Sequence, residues 1–118
     1  MDADILTVDP ESTLREASQL MSEQNVGAAI VVDPTSGTPG IITERDLLHS
    51  IAAGRDLDIQ RVADNLSPEV TSIPVDASLE QALQTMSEGN FRHLLVIDGG
   101  DAVGIVSMRV LVRTLTGE

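Results

Sequence analysis

Gly40-Ile41-Ile42-Thr43-Glu44-Arg45-Asp46 returns later in the chain, altered but in the same order, as Gly104-Ile105-Val106-Ser107-Met108-Arg109-Val110. Each copy begins with a glycine, continues with two apolar residues suited to a buried strand, and then offers a hydroxyl that can cap a following helix. The stretch reads as a strand passing directly into a helix. A helix opens with amide N–H groups that lack partners inside it and with the positive end of its dipole, so such a junction can hold an anion. The pattern points to a binding site, and points to it twice.

Working outward, an offset of 65 positions superposes 7–33 on 72–98. Leu14 meets Leu79, Ala17 meets Ala82, Met21-Ser22-Glu23 meets Met86-Ser87-Glu88, and Asp33 meets Asp98. The chain is two copies of one supersecondary unit. Each starts with an extended piece, Ile5–Val8 or Val70–Ile73, leading to Pro10 or Pro74, which discourages helix just before it. Thr13-Leu14-Arg15-Glu16 and Ser78-Leu79-Glu80-Gln81 then fit the capping box, and apolar residues at spacings of three and four follow as one buried stripe. These helices should end near Asn25 and Gly89-Asn90. Ala28–Val32 and Leu94–Ile97 are continuous apolar runs, the mark of strands covered on both faces. Turns are predicted at 33–37 and at Asp98-Gly99-Gly100-Asp101, the second short enough for a hairpin. The motif strand and a last helix, over 44–53 or 108–115, close each copy. The boundaries that follow are 1–54 for repeat 1, 55–65 for a connecting segment with a short helical stretch at 59–65, and 66–118 for repeat 2.

Composition removes several function classes. A chain of 118 residues suffices for one compact domain with a core of its own. With no cysteine there is no disulfide framework, thiolate zinc site or cysteine nucleophile. No apolar run approaches the roughly 20 residues that span a bilayer, and the first residues do not resemble a signal peptide, so a cytoplasmic protein without a membrane role is expected. The net charge of −12, with seven arginines and no lysine, opposes general affinity for nucleic acid. With one Phe and neither Tyr nor Trp, there is no aromatic platform for single-stranded bases. Such an acidic surface fits a salt-rich cytoplasm as well as it fits ordinary solubility.

The tandem β-α-β-β-α repeat, with Gly-apolar-apolar-Thr-x-x-Asp at its last strand-to-helix junction, resembles a pair of cystathionine-β-synthase (CBS) domains, a Bateman module. Val62-Ala63-Asp64-Asn65-Leu66-Ser67 ahead of copy two and Arg92-His93-Leu94-Leu95-Val96-Ile97-Asp98 add to the likeness, which covers essentially the whole chain. Met1 falls opposite Leu66, so copy one starts partway into that lead-in; the chain is either a piece of something longer or trimmed in its first strand. The resemblance implies an α/β (α+β) fold of two repeats packed with pseudo-two-fold symmetry. It also implies a regulatory module that senses AMP, ADP or ATP, or else S-adenosylmethionine or NAD, in the cleft between the copies. On this likeness Thr43 holds phosphate or ribose, Asp46 accepts from the ribose hydroxyls, and Arg92 and His93 meet the phosphates. Val70 and Thr71 line the adenine, and Ile41 and Arg45 belong to the same motif. In copy two the Asp position is Val110 and the basic pair of the other copy is replaced by Gly27 and Ala28, so a second site on Ser107 and Arg109 is expected to be empty or weak.

Plainer readings stand beside these. Thr43 with Asp46 can be a helix N-cap with an acid favouring the dipole, and Arg45 and Glu44 solvent-facing helix residues. His93 can be a half-buried structural histidine, His49 a structural one, and Asp98 with Asp101 turn formers rather than calcium ligands. No Gly-x-Ser-x-Gly elbow, phosphate-binding Gly-x-x-x-x-Gly-Lys loop, His-Glu-x-x-His or Gly-x-Gly-x-x-Gly occurs, so no catalysis, required cofactor or metal is indicated. The alternative to a nucleotide sensor is a ligand-free dimerisation or protein-interaction module. A homodimer is expected on either reading, with Leu111, Val112 and Leu115 as an apolar helix face seeking a partner, together with a regulated partner protein or domain.

Overall fold

The computed structural model describes residues 5–32, 39–67, 70–89, 92–108 and 111–112. They form two compact units, Leu6–Glu69 and one built from Val70 onward, each with a three-stranded sheet.

In the first unit β1 (Thr7–Val8) pairs parallel with β2 (Ala28–Val32), and β2 pairs antiparallel with β3 (Pro39–Thr43), Ile30 opposite Ile41 and Ala28 opposite Thr43. The parallel pair needs a crossover, which α1 (Leu14–Gln24) supplies. Thr13 caps it: Glu16 N–H donates to Thr13 Oγ1 at 3.1 Å and Thr13 N–H to Glu16 Oε1 at 3.2 Å. Asn25 ends it in the left-handed region, φ 54°, a conformation that Asn tolerates better than most side chains. Leu14, Ala17 and Met21 from α1, Leu47 from α2 (Glu44–Ala52), and Val8, Ala29, Val31 and Ile42 from the sheet make the core. Ala28, Ile30 and Ile41, pointing to the other face, are buried as well, as the unbroken apolar run predicted. Thr13→Ala is expected to cost about 1 kcal/mol in denaturant unfolding, the usual worth of an N-cap.

Residues 57–63 fold back onto α1. Gln60 and Leu57 carbonyls accept from the first two helix amides, Leu14 at 3.0 Å and Arg15 at 3.1 Å, which the helix itself cannot satisfy. Val62 and Ala63 amides return bonds of 2.9 Å to the Ser12 and Pro10 carbonyls, and Val62 is fully buried in the same core. The predicted helix over 59–65 shrinks to one 3-10 turn, Val62–Asp64, because these backbone groups are committed across the chain. Arg15 also pairs with Asp58, both side chains more than half exposed, where an ion pair contributes little. Asn65 then accepts from buried Ser50 Oγ at 3.3 Å and Arg55 Nη1 at 2.9 Å, tying the segment to the end of α2.

The second unit repeats the plan. Strand β4 (Ser72–Pro74) lies parallel to β5 (His93–Asp98), and β5 antiparallel to β6 (Asp101–Ser107), with α3 (Leu79–Gly89) as the crossover. The Ser78 and Gln81 capping box is formed, with bonds of 2.8 and 3.1 Å. Gly99 and Gly100, at φ 60° and 93°, supply the two positive φ values that a tight hairpin with the strands' own twist requires. The predicted turn at 33–37 lies outside the described residues. Ile73, Ala82, Met86, Leu94, Val96, Val106 and Leu111 form the core. Leu111 corrects an expectation: its side chain is fully buried inside its own unit, so it packs rather than seeks a partner. Val112 is 48% exposed, and Leu115 lies outside the described residues.

Candidate functional site

The first unit builds its β3-to-α2 junction around one carboxylate. Thr43, extended at φ −122° and ψ 163°, caps α2, and Asp46 three residues on reaches back. Asp46 Oδ2 accepts from Thr43 N–H at 2.7 Å, Thr43 Oγ1 at 2.9 Å and Ser67 Oγ at 2.8 Å. Asp46 Oδ1 takes no hydrogen bond from any described residue. The Glu44 amide is spent on the Gly27 carbonyl at 2.9 Å and the Asp46 amide on Thr43 Oγ1 at 3.3 Å. The helix start therefore keeps little of its donor capacity for an anion, and an acid already sits there; what it offers outward is an acceptor. Thr43 is buried at 8% exposure, Ile41 at 4%, and Asp46 is half-buried.

Two close approaches explain the glycines nearby. A Cβ on Gly40 would stand 3.1 Å from Leu66 Cδ1, so the residue without a side chain lets Leu66 lie across the strand while Ser67 N–H bonds the Ile41 carbonyl at 3.0 Å. A Cβ on Gly27 would stand 3.2 Å from Glu44 Oε1. The matching position of the second unit is Arg92, whose carbonyl accepts from Met108 N–H at 3.0 Å just as Gly27's accepts from Glu44. Where one copy has a guanidinium, the other has a carboxylate over a glycine.

The remaining predicted residues gather at one end of the second sheet. The parallel register of Ser72 with Leu95 carries Val70 and Thr71 beside the start of β5, and the Thr71 carbonyl accepts from Leu95 N–H at 3.0 Å. Arg92 is exposed, His93 is half-buried opposite Ser107, Thr71 is half-buried and Val70 is 41% exposed. The structure thus brings Ile41, Thr43, Arg45 and Asp46 together in one unit, and Val70, Thr71, Arg92 and His93 together in the other. Arg109 and Val110 lie outside the described residues.

The arginines sort by use. Arg15 pairs with Asp58, Arg55 with Asn65, and Arg61 donates to the Glu11 carbonyl at 2.9 Å. Among the described residues, Arg45 and Arg92 have no hydrogen-bonded or ionic side-chain partner, although the protein carries 19 acidic residues. Ser67, 21 positions from Asp46 along the chain, is the site residue that sequence reasoning missed. Its only signal was membership of the stretch 62–67. An open groove of about 530 Å³ beside β4 and α3, lined by Ile73, Pro74, Asp76, Gln81 and Glu88 among others, contains none of the predicted residues. Among the described residues no group of side chains is arranged to hold a metal, and no helix is long and apolar enough to cross a membrane.

Residues 1–53 and 59–117 each match the CBS domain family. The CBS domain-containing protein YhcV of Bacillus subtilis is 38% identical over 109 residues, which cover 92% of this chain and 76% of that one. A CBS-domain-containing protein of Agrobacterium tumefaciens superposes with a TM-score of 0.82 at 30% identity, over 96% of this chain and 85% of its own. A CBS domain protein of Pyrobaculum aerophilum, complexed with AMP, superposes with a TM-score of 0.81 over 98% of this chain and 95% of its own; at 22% identity that likeness concerns the fold.

Proposed function

Because the chain belongs to the CBS domain family, as a tandem pair of the domain, we propose that it is a regulatory module which senses an adenosine nucleotide, AMP, ADP or ATP. The observation that carries this reading is the division of labour on Asp46: one oxygen takes three donors, and the other takes none from the described residues. An ionised carboxylate with free lone pairs suits the paired hydroxyls of a ribose. Arg92, which has no side-chain partner among the described residues, meets the phosphates with His93 beside it, and a guanidinium can do so bidentately. Arg45 adds charge. Ile41, Val70 and Thr71 give the base an apolar and hydrogen-bonding surround. Thr43 contributes chiefly by holding Asp46, since its single hydroxyl proton is already committed there. The fold's accommodation of AMP in the Pyrobaculum aerophilum protein supports the ligand class. The matching position in copy two is Val110, and Glu44 rather than an arginine covers Gly27, so one nucleotide per chain is the expectation. Binding would act by favouring one arrangement of the protein over another, which requires only a difference in affinity between the two.

Thermal unfolding against AMP, ADP, ATP, S-adenosylmethionine and NAD tests this. A ligand at 100 times its dissociation constant adds about 2.7 kcal/mol, on the order of 10 °C for a domain of this size. If none of the panel moves the midpoint, the nucleotide reading fails. A second reading, a dimerisation or protein-interaction module without ligand, is favoured by Leu48 and Ile51, one turn apart on α2 and 62% and 57% exposed. A homodimer is proposed on either reading, and a monomeric mass in light scattering would reject it.

A further inference from the structure

We propose that Ser67 is a positioning residue for ribose recognition, one that acts through Asp46 and sets the preference for ribose over deoxyribose; this rests on the nucleotide reading above. Its hydroxyl is the third donor on Asp46 Oδ2, at 2.8 Å. The other two, both from Thr43, belong to the helix cap. Capping does not require the third: among the described residues, Glu16 Oε1 in α1 accepts from Thr13 alone, and in α3 Gln81 Oε1 accepts from Ser78. Nor does the repeat require it. At the offset that relates the copies, Asp2 stands opposite Ser67 and Val110 stands where Asp46 does, so the hydroxyl–carboxylate pair occurs once. A packing device of the fold would be expected in both.

Ser67 is itself fixed. Its N–H bonds the Ile41 carbonyl at 3.0 Å, and Leu66 before it lies against Gly40. The motif strand therefore leads into the helix that bears the carboxylate and also holds, through the Ile41 carbonyl, the residue that orients it. With Oδ2 taken up from two directions, by Thr43 and by Ser67, the carboxylate has one rotational setting, and Oδ1 is presented in one place, where its lone pairs accept from the two ribose hydroxyls. Without Ser67 the carboxylate can turn, and the acceptor is spread over several orientations.

Titration calorimetry with AMP and 2′-deoxy-AMP on the full chain decides. The unaltered protein should prefer AMP by about tenfold, one hydrogen bond to a charged group. Ser67→Ala should weaken AMP about tenfold and 2′-deoxy-AMP much less, so that the preference collapses, and Ser67→Thr should restore it. Equal weakening of both ligands would mean that Ser67 merely supports the fold, and unchanged binding that it does nothing; either overturns this inference and leaves the nucleotide reading standing. If ADP or ATP binds in place of AMP, it and its 2′-deoxy form make the same comparison; if the unaltered protein binds none of these nucleotides, both readings fall. Should Ser67→Ala not fold, Ser67→Thr and Ser67→Val, equal in shape and differing in the hydroxyl, carry the same comparison, and equal preferences in the two would overturn the proposal.

Discussion

Asp46→Ala is expected to weaken AMP binding by at least about a hundredfold while the chain stays folded. A carboxylate that accepts from both ribose hydroxyls makes two charge-assisted hydrogen bonds, together about 3 kcal/mol, and every 1.4 kcal/mol is tenfold in affinity. The structural loss is smaller. Alanine removes one half of the α2 capping box, at about 1 kcal/mol; the released Ser67 hydroxyl is half-buried, where water can reach it, and the buried Thr43 hydroxyl still accepts from the backbone amide of residue 46. Calorimetric titration together with a melting curve separates the two effects. Wild-type affinity in this variant would remove the assignment of Asp46, whatever becomes of the rest of the site.

Leu111→Ala is expected to lower stability by about 3 kcal/mol, roughly 10 °C in midpoint, and to do so at every protein concentration. The side chain is fully buried among Ile73, Met86, Leu94 and Val106, and truncating such a leucine loses its transfer energy and leaves a cavity. Val112→Ala, at a position 48% exposed, should change the midpoint by less than about 0.5 kcal/mol of stability. Had both residues faced a second subunit, the loss at Leu111 would depend on concentration by mass action. Thermal scans at two concentrations well apart distinguish the cases.

The sequence carried what local rules can carry. Two capping boxes and the Thr43 N-cap were legible because donor and acceptor lie three residues apart, and all are formed, with Asp46 completing a third box at Thr43. The bounds of β2 coincide with an unbroken apolar run, and Asp98-Gly99-Gly100-Asp101 could hardly be other than a tight hairpin turn. Leu111 was misplaced because spacing along a helix gives the angle of a stripe, not the identity of what covers it. Ser67 was missed for a related reason: its partner lies 21 positions away, on a contact that only the packed backbone creates. The Glu44 carboxylate over Gly27 is of the same kind. For the site, residue types and register were readable from the repeat, whereas which oxygen of Asp46 is spent, and which of the described arginines are engaged, is decided by contacts between segments distant in sequence.

The backfolded stretch at 57–63 also bears on how such a unit can be exchanged between proteins. A recombination that cut at Gly54, where the internal homology invites it, would leave the α1 amides of Leu14 and Arg15 without their carbonyls and the core without Val62. A cut beyond Ser67 keeps the helix start, the core and the carboxylate's third donor in one piece. The heritable unit is thus longer than the repeat that duplication left visible, and the residues past the repeat's edge travel with it because they finish its first helix.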